Sequence, residues 1–329
     1  ALGMVYWMYD RSKDHTIDFF NKKFKTKPHI IEANTKVLNA GFFYAETLEL
    51  IPNAYTIAPA KMPAGKYRII MGNTATAWGF LAAAEKTAPT DTNLRNLKEV
   101  TDASTSLANK VHEVMENGQF PLVLGGDHSI AIGTLAGLGD RYENLGVIWY
   151  DAHADLNTGD TSPSGNIHGM PLAVSIGLGH EQLVNIRGFA PKIKPENVVI
   201  IGARSIDPGE RELIKQTGIK VFTMHEIDKL GMTEVMNKAM WYLKDREVDG
   251  VHLSLDLDGI DPIYTPGVGT PVPGGISYRE SHLAMEMLYN SEMITSAEFV
   301  EVNPILDEKN KTADVAVALV GSLFGEKLL

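Results

Sequence analysis

Two histidines and five aspartates fall in three short clusters, and each cluster sits at or just past an apolar run. The clusters are Gly125-Gly126-Asp127-His128-Ser129, Asp151-Ala152-His153-Ala154-Asp155 and Ser254-Leu255-Asp256-Leu257-Asp258-Gly259. The runs before them, Pro121-Leu122-Val123-Leu124, Val147-Ile148-Trp149-Tyr150 and residues 251–255, read as strands buried on both faces of a parallel sheet. Side chains two apart on an extended segment share a face. Asp151, His153 and Asp155 are therefore expected to point one way, as are Asp256 and Asp258. In open parallel sheets, ligands bind beyond the carboxyl ends of the strands, which is where all three clusters lie.

The donor types select the metal. Carboxylates with a few imidazoles and no sulfur suit manganese or magnesium better than copper or thiolate-bound zinc. Two carboxylates ~4 Å apart repel by about 4 kcal/mol at an effective dielectric of ~20. Two divalent cations would cancel four such charges, so metal binding should stabilise the fold. A pair of cations also ionises water near neutral pH, which points to metal-assisted hydrolysis. One Asp-x-Asp alone would be an ordinary solvated loop, but three clusters after three strands are not explained that way.

Longer motifs carry a resemblance. Ser162-Pro163-Ser164-Gly165-Asn166-Ile167-His168-Gly169-Met170-Pro171, Gly267-Val268-Gly269-Thr270-Pro271-Val272 and Phe299-Val300-Glu301-Val302-Asn303-Pro304 join the three clusters. Together they resemble the signatures of the ureohydrolase (arginase/agmatinase) family, most closely its bacterial arginase members, over about residues 93–329. The resemblance implies a three-layer α/β/α fold with a mainly parallel sheet. It also implies two Mn²⁺ per subunit, hydrolysis of L-arginine to L-ornithine and urea, and a trimer or hexamer.

Roles carried over by that resemblance fall on matching positions. His128, Asp151, His153, Asp155, Asp256 and Asp258 would be the metal ligands, with Asp127 a neighbour. Glu301 would grip the guanidinium, as a carboxylate does through a forked, charge-assisted pair. His168 would be the proton shuttle, and Asp155 stands among the catalytic residues. Asn157, Ser164 and Asn166 resemble readers of the α-carboxylate, and Asp207 resembles the contact to the α-amino group. Thr270 resembles a pocket residue. Agmatine has no α-carboxylate, so this loop favours arginine over agmatine.

Composition excludes several classes. No cysteine is present, which rules out disulfides and thiolate metal sites and fits a reducing cytoplasm. No run of 18 or more apolar residues marks a membrane span, and no signal segment is evident. A formal charge of −11 argues against nucleic-acid binding and favours approach of a cationic substrate.

Pattern also predicts alternating elements. Val100, Ala103, Leu107, Val111 and Val114 recur at helical spacing, with Gly118 as a stop. Strands are expected at 198–202 and 219–222, and helices around 210–215, 233–243 and 312–323, which is parallel βαβ order.

Residues 1–92 depart from the family pattern of an opening strand, a glycine-rich loop with arginine, and a Gly-Pro turn into a helix. They hold 13 of the 26 aromatic residues, and 11 Lys and Arg against 8 Asp and Glu (+3); the remainder has 19 against 33 (−14). This part faintly resembles a stretch of the 2-oxoacid:ferredoxin oxidoreductase α subunit, without its thiamine or iron–sulfur motifs. It is expected to pack on the sheet as a separate region. Residues 67–71 and 76–86 are a candidate substitute strand and helix, and residues 27–33 are a second candidate strand. Without a substitute, the strand before His128 becomes an edge. Two hypotheses follow: a manganese arginase with agmatinase as the family alternative, or a metal-binding, weakly active relative whose N-terminal region serves association.

Overall fold

The structure is a computed structural model, and it describes residues 2, 5, 6, 12–48 and 94–326. The chain divides into units at residues 1–69 and 70–329. In the first unit, helix α1 (Asp14–Lys23) carries Asp14 in its first turn and Lys22 and Lys23 in its last, both favourable to the helix dipole. Helix α2 (Pro28–Leu48) follows. Residues 27–33, expected as a strand, are thus helical: Pro28 pre-sets the first turn, and the Asn34 side chain donates to the Ile30 carbonyl at 2.8 Å. A two-residue apolar run, Ile30-Ile31, is too short to override Glu32, Ala33 and the good helix formers after it. The other expected strand and helix, at 67–71 and 76–86, lie outside the described residues.

The second unit is built on a six-stranded, wholly parallel sheet in the order β1-β6-β5-β2-β3-β4. The strands are β1 (Leu122–Leu124), β2 (Leu145–Tyr150), β3 (Val198–Ala203), β4 (Lys220–Thr223), β5 (Gly250–Asp256) and β6 (Ile294–Val300). Strands β2, β3 and β5 are buried at every position, which explains the unbroken apolar runs of β2 and β3.

Alternation along the strands creates two cores. Ile148, Tyr150, Val199 and Ile201 face one way and pack with helices α8 (Met224–Leu230), α9 (Met232–Asp245), α10 (Tyr278–Ser291) and α11 (Lys311–Leu323). Val147, Trp149, Val198 and Ile200 face the other way. They pack with α3 (Leu97–Glu116), α4 (Ala131–Leu138) and α5 (Pro171–Ser175), and α7 (Pro208–Thr217) borders this side through Leu213 and Ile214. The result is the expected three-layer α/β/α fold. A short helix α6 (Glu181–Val184) joins the loops near α5.

In the second unit the strands and helices expected from residue 100 onward appear, most of them longer by a few residues, with β1 shorter by one residue and β4 shifted by one. β6, α4, α5, α6, α8 and α10 are additional to them. β6 escapes the apolar-run rule because Ser296 and Glu298 interrupt it. Among the described residues β1 pairs only with β6, and its Leu124 is 71% exposed. Among the described residues it therefore lies at the edge of the sheet, and the candidate substitute strand at 67–71 falls outside them.

Candidate metal centre and cavity

The three clusters converge, although not by simple strand alternation. β2 ends at Tyr150, and the chain turns at once: the Asp151 carboxylate accepts the His153 N–H at 2.7 Å. The Asp256 carboxylate does the same for the Asp258 N–H, at 2.7 Å, and opens a 3₁₀ turn (Leu257–Gly259). These are Asx turns, in which aspartate caps its own backbone two residues on. The expectation of a continued strand is therefore replaced by a turn, which still brings alternate side chains together. Asp155 completes its cluster in the left-handed region, at φ 52°. Gly259 eases the close approach, since a Cβ there would stand 3.1 Å from the Asp151 nitrogen.

His128 lies in a 3₁₀ turn (His128–Ile130) past β1. Asp127 caps that turn, accepting the Ser129 N–H at 3.2 Å, and so serves the backbone beside the site. His128 is held by two ring contacts and one backbone contact. It stacks on Trp149 at 4.1 Å, its backbone N–H donates to Glu301 Oε1 at 2.9 Å, and its Nε2 is 2.8 Å from Ser254 Oγ. Trp149 in turn donates its indole N–H to Asp151 at 2.9 Å.

Two groups of donors result. His128, Asp151 and Asp256 form one, all buried; Asp151, His153 and Asp258 form the other, with Asp151 common to both. His128 Nδ1 is 3.1 Å from Asp151, 3.0 Å from Asp155 and 3.1 Å from Asp256. His153 Nδ1 is 3.2 Å from Asp258 and 3.4 Å from Asp151. All six residues expected as ligands are gathered here. His128 Nδ1 is a buried atom without a hydrogen-bond partner, yet three carboxylates surround it. A cation satisfies such an arrangement, so the residues fit a metal.

The electrostatics of the cluster express the same need. Burial works against a charge on His128, but Asp151, Asp155 and Asp256 outweigh it and hold its pKa well above the usual value. His153, also opposed by burial, is pushed up to about 12 by Asp151 and Asp258. Burial, and then repulsion from Asp151, raise Asp155 to about 8. Burial and neighbouring carboxylates raise Asp256 and Asp258 as well. For Asp151, burial is overcome by the two imidazoles, which hold its pKa far below the ordinary range. The cluster takes up positive charge wherever it can.

A cavity of ≈ 230 Å³ opens over these groups. His168 and Glu301 line it, with His168 Nδ1 3.7 Å from Glu301 Oε1. Glu301 has a backbone φ of 67°, and burial raises its pKa to about 7. Asn157, Ser164, Asn166, Asp207 and Thr270 line the same cavity. Asn157 Nδ2 donates to Asp207 at 3.0 Å, and the Thr270 hydroxyl donates to Asp258 at 2.9 Å.

Sequence reasoning assigned no role to Glu210, which also lines the cavity. It is buried and accepts the N–H groups of Leu156 at 3.0 Å and Asp207 at 2.8 Å, tying the turn after β2 to the start of α7. The Asp207-x-x-Glu210 capping-box spacing was the available signal.

A parallel α/β sheet whose strand ends gather two carboxylate–imidazole groups under one cavity defines a binuclear metal hydrolase class. The sequence model of the arginase family matches residues 58–325, and the chain belongs to that family. The match begins ahead of residue 93, where the resemblance was expected to start. A curated arginase from Bacillus caldovelox is 69% identical over 239 residues, 73% of this chain and 80% of that protein. The crystal structure of a Bacillus subtilis arginase is 71% identical with a TM-score of 0.71, covering 72% of this chain and 82% of that one. An Entamoeba histolytica arginase crystallised with L-ornithine is 36% identical with a TM-score of 0.67, covering 76% and 89%.

Proposed function

We propose that this chain is a binuclear manganese hydrolase that converts L-arginine to L-ornithine and urea. The observation that carries the reading is the pair of donor groups sharing Asp151 beneath a cavity lined by His168 and Glu301. His128, Asp151, Asp155 and Asp256 would hold one ion, and Asp151, His153 and Asp258 the other. Oxygen-rich donor sets without sulfur favour manganese. Bound there, two divalent cations would supply charge neutralisation, Lewis acidity and an ionised water near neutral pH.

The remaining work falls to side chains of the chain itself. Glu301 would accept guanidinium N–H groups and orient the carbon to be attacked. Its carboxylate is aimed by the His128 N–H, and its left-handed backbone is the kind of strain kept at working sites. The bond that breaks joins the guanidinium carbon to the nitrogen that becomes the side-chain amine of ornithine. That nitrogen leaves as an amine only if it gains a proton, which His168 would deliver. Asn157, Ser164 and Asn166 would read the α-carboxylate, and Asp207 the α-ammonium. That an Entamoeba relative crystallised in complex with L-ornithine supports L-ornithine as the product here.

The test is urea release with manganese added, comparing L-arginine with agmatine. Arginine should be strongly preferred, and equal rates would sink the arginase assignment. We further propose that residues 93–329 form the catalytic region, that the chain works as a trimer or hexamer, and that it acts in the cytoplasm. No described helix is long and apolar enough to cross a membrane. Sedimentation of the manganese-loaded protein checks the assembly.

A further inference from the structure

Four polar side chains sit in β5 and β6 where the sheet is otherwise apolar. His252, Ser254, Ser296 and Glu298 are all 0% exposed. His252, Ser254 and Asp256 share one face of β5 by their spacing. The parallel register sets His252 against Ser296 and Ser254 against Glu298. Burying such groups costs several kcal/mol unless they satisfy one another.

They are joined in a chain that ends on His128, with the buried His252 Nε2 and Glu298 Oε2 left without a hydrogen-bond partner. His252 Nδ1 is 2.9 Å from Ser296 Oγ, and His252 Nε2 is 3.4 Å from Glu298 Oε1. The Ser254 hydroxyl donates to Glu298 Oε1 at 2.7 Å, and Ser254 Oγ is 2.8 Å from His128 Nε2. A serine hydroxyl has one proton. With that proton committed to Glu298, Ser254 can only accept from His128. Nε2 of His128 must then carry a hydrogen, so that whenever the ring is neutral its Nδ1 lone pair faces Asp151, Asp155 and Asp256. Had Ser254 donated to His128 instead, the tautomer would be reversed and Nδ1 would carry the hydrogen.

We propose that Glu298, acting through Ser254, is a positioning residue for the candidate metal centre. It fixes the His128 tautomer that offers Nδ1 to a cation, and His252 and Ser296 hold Glu298 in place. The proposal rests on the binuclear-metal reading above. Partners of this kind, one step behind a ligating histidine, typically contribute 10–100-fold to metal affinity.

The test is stepwise manganese binding to the full chain, measured by chelator competition with spin-resonance detection of the free ion. Parent, Ser254→Ala, Ser254→Thr and Glu298→Gln proteins are compared, with His128→Asn identifying the step that belongs to His128. Glu298→Gln keeps the shape but can donate to Ser254 and free its hydroxyl to turn toward His128. Ser254→Ala and Glu298→Gln should weaken the His128 step by about 10–100-fold and leave the other step unchanged. Ser254→Thr, which keeps the hydroxyl, should restore it. Two ions bound with parental affinity in both variants, even alongside a lower melting temperature, would reduce the network to core packing. Equal weakening of both steps would also overturn the proposal, since general loosening explains it. A parent that binds fewer than two ions would instead bring down the binuclear reading itself.

Discussion

The two ends of the cavity are made differently. At the deep end, Asp151, Asp256 and Asp258 are at most 2% exposed, and they leave the ends of strands that are buried throughout. At the mouth, Ser164 and Thr270 are exposed and Asn166 and Asp207 half-buried, all carried on loops or a helix start. Donors at the deep end are nearly closed to solvent, so a lost partner is poorly replaced there, while those at the mouth are open to water. Substitution should therefore remove the metal at one end and change substrate affinity at the other.

The largest expected effect is at the deep end. Asp258→Asn deletes a carboxylate whose neighbours include His153 Nδ1 at 3.2 Å and the Ala152 N–H at 3.3 Å. Manganese content should fall below two per chain, and activity should fall with it. Manganese at 100 times its Kd should add about 2.7 kcal/mol of stability to the parent. That gain should shrink in the variant. The metal-free variant should melt no lower than the metal-free parent, because one repelling carboxylate is gone. Metal analysis and paired melting curves check this, and unchanged metal content with an unchanged metal-dependent melting gain would break the comparison at its deep end.

His168 stands between the two ends, with its side chain 31% exposed and near Glu301. His168→Asn should keep both metals yet slow turnover roughly 10²–10⁴-fold, the usual loss of a positioned acid. Small imidazole buffers should restore part of the rate through the opened space. Full activity would reduce His168 to loop packing, and lost metal would move it to the deep end of the comparison.

The same contrast governs what could be read from the chain. The deep end was legible because Asp151, His153, Asp256 and Asp258 are pinned to strand ends by short spacing. Even there, Asx turns rather than a continued strand bring them together. At the mouth, Asn157 and Asp207 are 50 positions apart and meet only after β2, β3 and α7 are in place. Nothing local predicts that meeting, so resemblance alone pointed to it. The His252–Ser254–Ser296–Glu298 network escaped because register, not spacing, pairs its members. Residues 27–33 failed in the opposite way: two adjacent isoleucines suggest a strand, but no neighbouring run confirms one, and helix won.

The smallest expected effect sharpens the comparison at the mouth. Asp207 has two jobs: it starts α7 as its N-cap, and one carboxylate oxygen receives Asn157 Nδ2 at 3.0 Å. If it also meets the α-ammonium of arginine, Asp207→Ala removes a charge-assisted hydrogen bond of about 1.5–3 kcal/mol. KM should then rise about 10–100-fold, with turnover changed much less, as when mainly ground-state binding is lost. Loss of the cap should cost about 1 kcal/mol of stability and nothing in metal content. Asp207→Asn separates the two jobs, because asparagine still caps a helix but no longer attracts a cation. It should keep the parental melting temperature and still raise KM. A pure turnover defect in either variant would move Asp207 from substrate reading to the chemistry itself, and the division between the two ends would no longer hold there.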